Sequence, residues 1–60
     1  MGPSVPLTFW YDDPEAALKA AKAAVRRKAG YYEGCEFPEG KGFGVWKEGF
    51  LVEKHIVRKA

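Results

Sequence analysis

Only one stretch of this chain reads as a helix, and nearly everything else that can order reads as strand. Asp12-Asp13-Pro14-Glu15 is a helix start. Asp13 can cap with Pro14 at the first helical position, or Asp12 can cap with Glu15 as its capping-box partner. The alanine-rich run that follows extends to Ala29, with Gly30 as the expected left-handed terminator. Arg26, Arg27 and Lys28 fall in the last turn, where the helix dipole favours positive charge. At about 100° per residue, Leu18, Ala21, Val25 and Ala29 form an apolar face that Ala17 and Ala24 extend, with Lys19, Lys22 and Arg26 opposite.

The flanking segments carry strand formers. Val5–Tyr11 is one strand, and Pro6 confines that end to a sheet edge or a strand start. Leu7, Phe9 and Tyr11 share one side of it, Thr8 and Trp10 the other. Residues 1–4 read as a loose tail. Tyr31–Phe37 is a second strand, residues 38–42 a loop, and Phe43–Trp46 a third strand. Lys47-Glu48-Gly49 reads as a three-residue hairpin turn with Gly49 left-handed, leading into a fourth strand, Phe50–Arg58. With Trp46 opposite Phe50, one face would hold Trp46, Phe50, Val52 and Ile56. The other would hold Phe43, Val45, Leu51 and Val57, with Glu53 and His55. The expected fold is α+β: a single domain over residues 1–60, with one helix packed on a small sheet of three or four mostly antiparallel strands, in the order β-α-β-β(-β). The first and second strands would be joined through the helix by a parallel, right-handed crossover.

Size makes packing critical. A domain this short buries only about 60% of the surface its unfolded chain exposes, and it usually needs a disulfide, a metal, self-association or unusually good packing. Cys35 is the only cysteine, so no internal disulfide forms. Cys35 and His55 cannot supply the four ligands of a structural zinc site. No metal and no cofactor is expected, which leaves packing or a homodimer. The lone cysteine suits a reducing compartment, and no leader-like segment or roughly 20-residue apolar run is visible. A cytoplasmic protein without membrane contact is therefore expected. Asn and Gln are absent from the sequence, a bias shared with heat-adapted proteins. The formal net charge of +2 permits nucleic-acid binding without demanding it.

One helix can cover only one face of a sheet, yet apolar side chains fall on both sides of these strands. The second face is therefore expected to meet something outside the chain. This points to a small non-enzymatic regulatory protein, an inhibitor or adaptor, that binds a protein partner or itself through an aromatic-rich sheet face or edge. Trp10, Tyr32, Phe43 and Trp46 are the expected anchors, since interface hot spots favour large aromatic residues. The alternative is single-stranded RNA or DNA binding, with aromatic rings stacking on bases while Lys22, Arg26, Arg27 and Lys41 hold phosphates. The run Lys41-Gly42-Phe43-Gly44 resembles the first four positions of the ribonucleoprotein signature of RNA-recognition motifs, which implies aromatics that stack on bases from a strand. Val45 and Glu48 stand where that signature has aromatic residues.

Enzymatic readings fare worse. Gly40, Gly42 and Gly44 alternate into a strand, whereas a phosphate-binding P-loop opens a helix with Gly-Lys-Ser/Thr. A Cys35–His55 nucleophile and base pair would need an orienting group and a pocket that so small a domain is not expected to hold. Cys35 reads as a small buried hydrophobe, and His55 as a partly exposed strand residue near Glu53. No catalytic residue and no small-molecule substrate is expected.

Overall fold

The computed structural model describes residues 5–58. The tail expected at residues 1–4, and Lys59 at the basic C-terminus, lie outside the described residues. Five elements follow one another: β1 (Leu7–Tyr11), α1 (Pro14–Lys28), β2 (Tyr31–Phe37), β3 (Gly40–Lys47) and β4 (Phe50–Val57). The fold is α+β, one helix on a four-stranded mixed sheet with strand order β1-β4-β3-β2. The β2–β3 and β3–β4 pairs are antiparallel, and β1 lies parallel to β4, with Leu7 opposite Glu53 and Tyr11 opposite Val57.

The crossover differs from expectation. β1 and β2 are not neighbours but stand at opposite edges, so α1 crosses the full width of the sheet between them. Two tight hairpins fix β2, β3 and β4 as a local meander, which leaves β1 only the outer edges of β2 and β4. It takes the β4 edge, where Tyr11 reaches His55.

The helix begins as its sequence indicates, with Pro14 in its first turn. Asp13 is the extended N-cap residue, although its side chain makes no capping hydrogen bond. The first turn is closed instead by the Ala17 N–H donating to the Asp13 carbonyl at 3.2 Å. At the other end the left-handed residue is Ala29 (φ 56°, ψ 44°) rather than Gly30. Gly30 serves another purpose. A Cβ there would stand 2.0 Å from the carbonyl oxygen of Trp46, so only glycine lets β2 start that close to β3.

Ala17, Ala21 and Ala24 are fully buried against the sheet. Val45 sits beneath them, and Val25, Tyr32, Phe43 and Val52 pack around this cluster. Small methyl groups let the helix lie close. Each contributes only about 0.8 kcal/mol per buried carbon, so the surrounding rings supply much of the apolar burial.

Both hairpins are tighter than expected. Phe37 pairs with Gly40, so the connection is Pro38-Glu39 alone and β3 starts three residues before Phe43. Glu48 and Gly49 both have positive φ (54° and 85°), and Lys47 pairs with Phe50. That is a two-residue type I′ turn, whose twist matches the strands it joins. A bulge then follows: Val45 opposes Glu53 while Trp46 opposes Leu51, leaving Val52 as the extra residue. The shorter turn shifts the register by one and the bulge shifts it back. Phe50 and Leu51 therefore exchange the faces expected of them, and Val52 joins the helix-side core, while Phe43, Val45, Glu53, His55 and Val57 share a face as expected.

Candidate interaction surface

Beneath the helix, four polar side chains form a continuous chain of hydrogen bonds. The Glu53 carboxylate contacts His55 Nε2 at 2.7 Å through Oε1 and Lys28 Nζ at 3.1 Å through Oε2. His55 Nδ1 lies 2.7 Å from the Tyr11 hydroxyl. Glu53 and His55 are only 2% and 3% exposed. Burial is the largest influence on Glu53 and pushes its pKa up, but the hydrogen bonds from His55 and Lys28, with their charges, together hold it below the ordinary value. An ionised carboxylate can only accept. In a neutral imidazole, Nε2 therefore carries the proton, and Tyr11 donates to Nδ1. Burial, and then the charge of Glu53, push the Tyr11 hydroxyl above its usual pKa. Phe9 closes the outer side by stacking on the His55 ring, with centroids 5.0 Å apart and planes 14° apart.

This network corrects the reading of His55 as partly exposed. It also separates His55 from Cys35. Both ring nitrogens are committed to Tyr11 and Glu53, and Cys35 lies on β2 with β3 between it and β4.

The face away from the helix is partly covered by its own side chains. The Trp46 indole folds back over Gly44, where a Cβ would meet ring atoms at 2.6 Å. Tyr31 stacks on the same indole at 5.7 Å and 11°. Ile56, flanked by Trp10 on β1 and Gly42 on β3, is fully buried. Lys54 binds Glu39 at 2.7 Å and lies 5.5 Å from the centre of the Phe37 ring. The apolar excess seen in the sequence thus sits less on the middle of this face than on the margins of the sheet.

It is greatest on β1. Leu7 is 56% exposed, Phe9 38% and Trp10 46%. The strand Leu-Thr-Phe-Trp-Tyr carries no charge. The Arg58 N–H donates to the Tyr11 carbonyl at 2.6 Å, so the backbone of Tyr11 faces the β4 side. In a parallel ladder alternate residues address the same neighbour. Leu7 and Phe9 therefore also face β4, while Thr8 and Trp10 turn N–H and C=O outward, where no strand of the described residues lies. The opposite edge is different, because β2 exposes Glu33 on one face and Glu36 on the other.

The expected anchors divide accordingly. Trp10 is exposed on the β1 edge, and Trp46 is partly buried over Gly44. Tyr32 and Phe43 meet edge to face at 6.3 Å, partly buried against the helix-side core. Phe43 thus lies on the helix side of the sheet rather than on the face free of the helix. Lys22, Arg26 and Arg27 are exposed on the helix, whereas Lys41 stands on β3. Leu7 and Phe9, exposed on the same edge strand, are not among the expected anchors.

A shallow open groove of about 570 Å³ lies at the N-terminal end of the helix, lined by Pro14, Gly34, Glu36, Lys41, Phe43 and Val57 among others. It is larger than expected for so short a chain; Cys35, half-buried rather than buried, lines it, whereas His55 and Tyr11 do not. Among the described residues, no helix is long and apolar enough to cross a membrane, and no cluster of three or more His, Cys, Asp or Glu could hold a metal ion. Comparison with protein-family models, with curated proteins and with solved structures gives no match.

Proposed function

We propose that this chain is a non-enzymatic binding protein that receives an extended polypeptide strand on the outer edge of β1. The observation that carries this reading is the combination on one short strand of outward backbone groups at Thr8 and Trp10, no charge, and exposed apolar side chains on both faces. Edges of this kind are usually blunted by charge, proline or a covering element, because they are ready templates for another strand. Strand addition takes its affinity from main-chain hydrogen bonds and its selectivity from alternating side chains. Here Leu7 and Phe9 would read one side of the incoming strand and Trp10 the other.

Nucleic-acid binding is less well supported. The stacked rings of Tyr31 and Trp46 are on the face away from the helix, while Lys22, Arg26 and Arg27 are exposed on the helix on the other side. Stacking and phosphate neutralisation are thus split between opposite surfaces.

A displayed library of extended peptides, selected on the full chain, tests the proposal. Proline at position 8 removes an outward N–H and leaves the β1–β4 ladder in place. Thr8→Pro should weaken the selected peptides by about tenfold or more, consistent with losing a hydrogen bond of about 1.5 kcal/mol. Peptides that bind Thr8→Pro and the parent equally would sink the reading.

A further inference from the structure

We infer that the strand received at this edge is β1 of a second copy, paired antiparallel about a two-fold axis through Phe9; this rests on the strand-addition reading above. The outward residues, Thr8 and Trp10, flank Phe9 symmetrically. In an antiparallel self-pair, Thr8 meets Trp10 of the second copy as a hydrogen-bonded pair, and the axis repeats that pairing on the other side. Phe9 then meets its own counterpart at a non-hydrogen-bonded position, where side chains approach most closely, with Cα atoms about 4.5 Å apart. Each Phe9 already stacks on His55, so the two rings would continue one aromatic row across the axis.

Three features favour a second copy over a foreign strand. The first is charge. Two identical strands present the same charges, and like charges directly opposite are destabilising. The segment Leu7–Tyr11 is neutral throughout, whereas β2 would bring its own glutamates together. The second is length. Pro6, which has no N–H to offer, and Asp12, in the bend before the helix, close the strand at either end. The paired window is thus centred on Phe9. The third is burial. Three of the six exposed large hydrophobic residues, Leu7, Phe9 and Trp10, lie in this segment, and a fourth, Val5, just precedes it. Among the described residues, the fully buried apolar ones are only Ala17, Ala21, Ala24, Val45 and Ile56, three of them alanines. A small domain with so slight a core gains most from covering that edge. An interface of one short strand falls below about 1,200 Å², so the dimer should exchange with monomer and depend on concentration.

Sedimentation equilibrium of the full chain over a wide concentration series tests this. The parent chain should shift from monomer to dimer, and Thr8→Pro should raise the dissociation constant about tenfold or more. Phe9→Lys and Phe9→Glu should each be monomeric, and an equimolar mixture should associate again, because only a pair at the axis places residue 9 against itself. Circular dichroism confirms that each variant is folded. Should Phe9 variants unfold, amide exchange replaces them, and protection of the Thr8 and Trp10 amides should rise with protein concentration. A chain that stays monomeric but binds peptides in a manner sensitive to Thr8→Pro overturns the second copy and keeps strand addition. A dimer indifferent to Thr8→Pro overturns the second copy at this edge, and a chain that neither dimerises nor binds such peptides overturns both readings.

Discussion

Glu53 and His55, two residues apart on β4, are joined side chain to side chain at 2.7 Å in a space almost closed to water. Lys28 and Tyr11 occupy the pair's remaining positions. Removing one partner of a buried charge network leaves the others uncompensated, at a cost of about 3–5 kcal/mol. Glu53→Ala should therefore remove much of the stability of a domain this size and should broaden or abolish the urea unfolding transition. Glu53→Gln, which keeps the shape but not the charge, should fall between the two.

The same network sets the pH range of stability. The Glu53 pKa is lower in the folded chain than its ordinary 4.5. Its contribution is complete above that value and is lost as pH falls through the folded pKa. Tyr11 is raised above its ordinary 10.0, so its contribution is present below that value and is lost as pH rises through the folded pKa. Thermal melts should give a plateau between those limits that falls on both sides. In Glu53→Gln the acid-side fall should be reduced, and an unchanged acid limb would refute the assignment.

Ala29 and Gly30 should respond in opposite senses. Ala29 holds a left-handed conformation that costs a residue with a Cβ about 1 kcal/mol. Ala29→Gly should raise the unfolding midpoint, and equal or lower stability would count against it. Gly30→Ala must push aside the Trp46 carbonyl and should be among the most damaging single substitutions in the chain.

The β3–β4 turn offers a milder contrast. Glu48 stands at φ 54°, and Gly49 at φ 85° has open space around it. Glu48→Asn should stabilise by about 0.5–1 kcal/mol, because asparagine tolerates that conformation better. Gly49→Ala should destabilise by about 1 kcal/mol through backbone strain alone. Denaturant midpoints distinguish the two.

Local chemistry was legible in the sequence and long-range placement was not. Asp13-Pro14 opens the helix, and the alternation of Leu7, Phe9 and Tyr11 gives the correct face. Gly30 was correctly noticed but for the wrong reason, since its constraint comes from Trp46, on a strand that pairs with β2. Gly40 and Gly42 read as part of a loop, although β3 already runs through them. The bulge at Val45/Trp46 leaves no signature in composition, yet it decides where Leu51 and Val52 point. The burial of His55 depends on Tyr11, 44 residues away, and on the helix above it. No window of local sequence holds that information. Pro6 points to an edge position for β1, which the sheet order shows, but only the β1–β4 pairing shows which side is free.

Because the first strand pairs only with the last of the four described, the sheet cannot close until β4 has been made. Leu7–Tyr11 must wait until Glu53–Val57 has been synthesised, although the hairpins between them close locally and early. Maturation should therefore end with a slow docking of the N-terminal strand, and translation stalled before residue 53 would leave a nascent chain with its greasiest segment unattended.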